Sequence, residues 1–179
     1  MLFRSTCGYQ TNYHDAGDGP PVLLLHGSGA GVSGWANWRG LIPTLSQRYR
    51  VIAPDLVGFG YTEIGADYEF RFMDSWIDQM LAVLDGLGIE KAHIVGNSFG
   101  GAVALWMAWR APERTGRLVL MGAGGVPIVV GPELAALWGY KPSPENMRNA
   151  MSVMAYDQKL ITDELVEMRY RATLRPGAQ

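Results

Sequence analysis

Short apolar runs alternate with helical periodicity along the first 130 residues of this 179-residue chain. Residues 22–26 (VLLLH), 51–55 (VIAPD), 93–96 (HIVG) and 118–121 (LVLM) are each short and continuous, and each is closed by Gly, Pro or Asp. That pattern predicts strands buried on both faces, as in a parallel sheet covered by helices. Between the second and third runs, Met73, Trp76, Ile77, Met80, Leu81, Leu84 and Leu87 recur at intervals of three and four. The spacing predicts a helix with one apolar face, stopped by Gly86 and Gly88. The run FGGAVALWMAW after Ser98 is apolar all round and predicts a buried helix. Alternation of this kind predicts an open α/β fold, a mostly parallel sheet with flanking helices.

The pattern changes after Gly131, where no further strand signal occurs. Pro132–Trp138 has helical spacing. Ser143-Pro144-Glu145 is an N-cap followed by proline at the first helical position, and it opens a helix carrying Met147, Ala150, Met151 and Met154. Thr162-Asp163-Glu164 opens another, with Leu165, Val166 and Met168 apolar. The chain thus divides into an α/β core over 1–130 and a helical part over 131–179, with the glycine-rich stretch 122–131 at the boundary.

Composition narrows the function classes. Apolar residues make up 48%, enough for a packed core and against a disordered chain. The net charge is -2 with no basic run, which argues against a nucleic-acid partner. Cys7 is the single cysteine, so no internal disulfide forms. No basic-then-apolar leader and no apolar run of about 18 residues is seen, so a cytoplasmic protein without a membrane partner is expected.

The candidate chemistry sits at Gly96-Asn97-Ser98-Phe99-Gly100, a G-x-S-x-G motif. Its context matters more than its letters. A strand precedes it and an apolar helix follows, so the turn strains residue 98 and stands its hydroxyl clear at the sheet's C-terminal edge. The helix N-terminus there favours developing negative charge. Ser98 is therefore the candidate nucleophile; the alternative is a glycine-rich turn with an incidental serine. An oxyanion needs two N–H donors. One is that of Phe99, and the other is that of Ser28 or Gly29 in the loop His26-Gly27-Ser28-Gly29-Ala30-Gly31 after the first strand run. His26 ends a buried strand and is read as holding that loop, not as the base.

Gly29-Ala30-Gly31-Val32-Ser33-Gly34 also matches the dinucleotide fingerprint G-x-G-x-x-G, with Asp55 at the end of the next strand. The fingerprint's helix should begin inside the motif, whereas helical spacing here starts at about Trp35. The serine elbow explains the same loop as an oxyanion loop. Asp55 is read as structural, because the acid of this chain order follows the serine. No cofactor and no metal is implied.

Together these residues resemble the α/β-hydrolase superfamily, and within it the meta-cleavage product hydrolases, nearest the 2-hydroxymuconic semialdehyde hydrolases. The segments that carry the likeness are HGSGAGVSGWANWR, RVIAPDLVGFGYT, HIVGNSFGGAVAL, RLVLMGAGG and AYDQKLITDELVEMRYRA. The resemblance implies hydrolysis of a carbon–carbon bond in a ring-opened catechol, a small-molecule dienoate, by a Ser98-based mechanism. It implies that Asn37, Asn97 and Arg169 hold the dienoate's carboxylate and oxygens, and that the parent enzyme is a homo-oligomer. The plainer alternatives are a helix start for Asn37, turn geometry for Asn97 and a solvated helix charge for Arg169.

The histidines complicate this reading. His14, His26 and His93 all precede Ser98, whereas the fold's chain order wants an acid and then a histidine after it. The late acids Asp157, Asp163 and Glu164 fall in the helical part. The expectation is a chain that stops inside a helical lid, at Pro176-Gly177-Ala178-Gln179, without triad acid or base and with little activity of its own. A carboxylesterase-like hydrolase and a non-catalytic binding module stay open as alternatives.

Overall fold

The computed structural model describes residues 2–6, 8–65, 68–127 and 129–174, and the side chains of those from 8 onward other than Ala136. Cys7 and residues 176–179 lie outside the described residues. Seven strands among those described form one sheet: β1 (Leu2–Thr6), β2 (Tyr9–Ala16), β3 (Pro21–Leu25), β4 (Arg50–Pro54), β5 (Glu63–Ile64), β6 (Ala92–Asn97) and β7 (Thr115–Met121). Their order is β1-β2-β4-β3-β6-β7, with β5 pairing β2. β4, β3, β6 and β7 run parallel, and β1 and β2 add antiparallel at one edge.

The four apolar runs became the four parallel strands. Val22 and Leu24 face one side of the sheet, with Trp38 and Ile42 from α1 (Gly34–Trp38) and α2 (Ile42–Leu45). Leu23 and Leu25 face the other, with Ile77, Met80 and Leu84 of α3 (Asp74–Gly86) and Val103 and Met107 of α4 (Phe99–Arg110). Strict alternation along a strand places consecutive leucines in opposite cores. Each such buried side chain contributes about 1.5–3 kcal/mol of transfer free energy.

β1, β2 and β5 carry no signal of that kind. β2 buries Thr11 on the same face as Tyr9 and Tyr13, and Asn12 on the other, so polar residues interrupt both faces and apolar periodicity does not reveal it. Two further expectations are corrected. α4 is apolar all round but not buried all round: Leu105, Trp106 and Trp109 are exposed, Trp109 at 72%. β7 pairs only with β6 among the described residues, and its Val119, Leu120 and Met121 are exposed rather than buried.

The winding reverses between β3 and β6: β4 lies on one side of β3, and β6 and β7 on the other. Loops leaving β3 and β6 therefore diverge and open a crevice at their carboxyl ends. The register pairs Leu25 with Gly96, which brings His26-Gly27 beside Asn97-Ser98.

Three helices stand over that edge: α5 (Pro132–Trp138), α6 (Pro144–Met154) and α7 (Asp163–Ala172). Ser143 caps α6 by accepting from the Asn146 N–H, and Thr162 caps α7 by accepting from the Leu165 N–H. Met147, Ile161 and Val166 form a small separate core that also packs on Ala30.

Candidate active site

Ser98 is held with φ 52° and ψ −115°, a conformation that favours glycine. Its neighbours over-determine it. The Ser98 N–H donates to the Met121 carbonyl (2.9 Å), and its carbonyl accepts from the N–H groups of Gly101 and Gly124, both at 3.0 Å. The glycines around it are steric necessities. A Cβ on Gly96 would sit 2.6 Å from the Gly100 carbonyl oxygen, and one on Gly100 would strike the carbonyls of Leu25 and His26. α4 begins at Phe99, so Ser98 occupies the N-terminus of a 12-residue helix, the positive end of its dipole. Among the described residues the Ser98 hydroxyl has no hydrogen-bond partner.

The loop after β3 comes up against it. A Cβ on Gly27 would lie 3.2 Å from Ser98 Cβ. The Gly27 N–H is occupied, donating to Asn37 Oδ1 at 3.3 Å. The N–H groups of Ser28, Gly29 and Phe99 have no partner among the described residues, and all three residues line one cavity with Ser98. Asn37 Oδ1 also accepts from Asn97 Nδ2 at 3.0 Å. These two bonds orient both amides and leave Asn37 Nδ2, a donor, and Asn97 Oδ1, an acceptor, without a protein partner among the described residues.

The cavity holds about 660 Å³. Its roof is apolar, made by Leu137 and Trp138 of α5 and Met147, Met151 and Met154 of α6. Arg169 of α7 enters the lining and is half-buried. Its Nη2 donates to the Ala30 carbonyl at 3.3 Å, while its Nε is buried without a partner. Burial pushes its pKa down, and the nearby Arg39 charge pushes the same way; a guanidinium stays charged regardless. Arg169 is not a solvated helix charge.

The three histidines are accounted for elsewhere. His26 is fully buried: Leu56 N–H donates to its Nε2 (2.9 Å), so the ring proton is on Nδ1, which donates to the Gly27 carbonyl at 2.7 Å. Burial lowers its pKa and keeps it neutral. His14 stacks against Trp35 at 4.8 Å, and His93 Nδ1 accepts from the Arg117 N–H. Asp157 caps a short turn by accepting from Lys159 N–H, and Asp163 pairs with Arg148. No group of three or more His, Cys, Asp or Glu side chains among the described residues is placed to hold a metal ion.

The dinucleotide alternative fails on geometry. Helix α1 starts at Gly34, the last residue of the fingerprint, and runs five residues. The Asp55 carboxylate accepts from the N–H groups of Gly34 (2.6 Å) and Tyr61 (2.7 Å) and from Asn12 Nδ2 (2.7 Å). It ties the loop to the sheet and is fully buried, out of reach of a ribose.

The profile of a family described as alpha/beta hydrolase fold matches residues 20–164. The chain belongs to that family. This alpha/beta hydrolase is 52% identical over 170 residues to a 2-hydroxymuconate semialdehyde hydrolase of Pseudomonas sp. (strain CF600), covering 95% of this chain and 60% of the relative. It is 51% identical over 172 residues to a 2-hydroxy-6-oxo-2,4-heptadienoate hydrolase of Pseudomonas putida, covering 96% and 62%. Among solved structures, a meta-cleavage product hydrolase from Pseudomonas fluorescens IP01, crystallised with acetates, superposes with TM-score 0.95 at 54% identity, covering 99% of this chain and 65% of that one. The chain spans about three fifths of the length of the curated relatives it matches.

Sequence reasoning missed the Asn37–Asn97 bond, the pinning of Ser98 by Gly124, and Trp106 and Trp138 in the cavity wall. A glycine-rich GAGG segment after β7 was the available signal for the second of these.

Proposed function

We propose that this chain is built for hydrolysis of a carbon–carbon bond in a 2-hydroxy-6-oxo-dienoate, a ring-opened catechol. The observation that supports it is the joining, in one apolar cavity, of a strained serine, unpaired N–H groups beside it, two oriented amides and a guanidinium without a carboxylate. Arg169 takes the substrate carboxylate through parallel N–H bonds. Asn37 Nδ2 and Asn97 Oδ1 meet the 2-oxygen as the dienol becomes the keto form. The distal carbonyl then lies over Ser98, its oxygen toward the N–H of Phe99 and that of Ser28 or Gly29.

Attack by Ser98 Oγ forms the C6–O bond. The C5–C6 bond breaks, its electron pair moves through the conjugated system onto the 2-oxygen, and the proton given up by Ser98 returns there to release 2-hydroxypenta-2,4-dienoate. Water hydrolyses the acyl-serine to an acid, which is formate when the substrate is the semialdehyde. The serine proton needs a base, and no histidine of this sequence contacts the hydroxyl. The 179-residue chain is therefore expected to bind dienoate while turning it over several orders of magnitude more slowly than a hydrolase with its base. A carboxylesterase shares these parts; the unpartnered hydroxyl favours binding without turnover over ester cleavage.

The test is stopped-flow absorbance on the yellow dienolate with the 179-residue chain. Saturable spectral perturbation, weakened about tenfold or more by Arg169→Gln, is expected. Rapid turnover of p-nitrophenyl esters with no dienoate binding would refute the proposal. We further propose that 1–130 is the catalytic core and 131–179 a lid over the cavity, that the enzyme is a cytoplasmic homo-oligomer, and that it uses no nucleic acid, membrane, cofactor or metal.

A further inference from the structure

The loop between β3 and α1 has a second side. There it borders another cleft, of about 800 Å³, between α7 and the sheet's carboxyl edge. The cleft and the Ser98 cavity share Gly29, Val32 and Arg169 and otherwise have different walls. Arg39, exposed at the end of α1, lines the cleft only.

The charges in this cleft are unbalanced at one place. Arg171 is taken by Glu167, Nε to Oε1 at 2.6 Å, and Glu164 sits on the rim in the first turn of α7. Arg39 and Arg169 form no ion pair among the described residues. The Arg39 charge is near enough to act on Arg169, and Arg169 Nε is buried with no acceptor. Two guanidiniums brought together without an anion repel, and a bound anion reverses the sign of that interaction. Beside them lie two aromatic faces, Trp35 at 46% exposure and Tyr61 at 37%. The His14 ring packs against Trp35, with ring centroids 4.8 Å apart.

We propose that this cleft is a second ligand site for a small planar carboxylate, with the acid group between Arg39 and Arg169 and the conjugated body against Trp35 and Tyr61. Fork-shaped donors match a carboxylate, and flat rings match a conjugated chain. Because Arg169 borders both spaces, a carboxylate in the cleft competes for the guanidinium that faces the Ser98 cavity. Product-like acids would thereby weaken substrate binding without entering the cavity. The site stands on its own geometry and holds whether or not Ser98 cleaves a dienoate.

Titration of the 179-residue chain with sorbate (2,4-hexadienoate), by calorimetry and by ligand-to-Trp35 nuclear Overhauser contacts, tests it. Arg39 is exposed, so Arg39→Gln should fold normally, as a circular dichroism melt verifies. The expected result is ligand contact with the Trp35 ring and about tenfold weaker binding in Arg39→Gln, partly restored in Arg39→Lys, with Asn97→Ala within about twofold of the parent. Binding that is lost in Asn97→Ala and indifferent to Arg39→Gln would overturn the second site while supporting the Ser98 cavity as the carboxylate site. An absence of saturable binding in every variant would overturn it as well, and the stopped-flow test of the cavity would be unaffected.

Discussion

Replacing Ser98 by glycine should make this protein more stable than replacing it by alanine, the reverse of the usual order in a structured segment. At φ 52° and ψ −115° a side chain is strained, and neighbouring bonds from Gly101, Gly124 and Met121 hold it there. A residue forced into a sparsely populated backbone region costs about 1–3 kcal/mol. Alanine keeps the Cβ and therefore the strain. It loses a hydroxyl that has no hydrogen-bond partner among the described residues, so Ser98→Ala should be near neutral. Glycine removes the strain but adds about 0.4–1 kcal/mol of unfolded-state entropy. It also gives up the Cβ that faces Gly27. The net expectation is that Ser98→Gly exceeds Ser98→Ala by about 0.5–2 kcal/mol. Urea unfolding of the two variants, read by circular dichroism with a common m-value, measures the difference. A glycine variant clearly less stable than the alanine variant would show that the elbow is not strained, and the argument for a held nucleophile would fall with it.

Three other outcomes test the surrounding structure. Gly100→Ala should cost at least about 3 kcal/mol, because its Cβ meets the backbone carbonyls of Leu25 and His26, which cannot rotate away; an unfolding midpoint unchanged from the parent would contradict the contact. Asp55→Asn should cost about 2–4 kcal/mol by weakening three short bonds to a buried carboxylate; a loss of less than about 0.5 kcal/mol in urea would show the loop is held otherwise. For pH, burial depresses His26 below 6.5 in the folded state, and His14 shifts the same way. The unfolded chain then binds protons that the native state refuses, so this contribution is full above about 6.5 and is lost as pH falls below it. His26→Gln should flatten the fall in stability between about pH 7 and 5; an identical slope would exclude His26 as a source.

The chain's own residues carried much of this outcome. Four continuous apolar runs specified the parallel strands; in β3 and β4 burial on both faces requires apolar residues throughout, whereas β7 is apolar at an exposed edge. Caps at Ser143 and Thr162 specified where α6 and α7 begin, because capping is settled within one turn. G-x-S-x-G between strand and helix located the elbow for the same local reason. Tertiary structure alone decided the rest. β2 is a strand because β1 and β4 hydrogen-bond to it, although it buries Thr11 and Asn12, one on each face. Trp109 is exposed, on a helix whose pattern gives no polar face. The meeting of Asn37 with Asn97, 60 residues apart, follows from the winding reversal between β3 and β6 and not from any local pattern. Arg169 gains a substrate-holding role in sequence only through the family resemblance, and its helical context alone reads as a surface charge. The fold half-buries it, because α7 crosses the loop after β3 and brings the guanidinium onto the Ala30 carbonyl, with Nε out of water. A charge's surroundings are set by what the chain brings over it, and no window of sequence contains that.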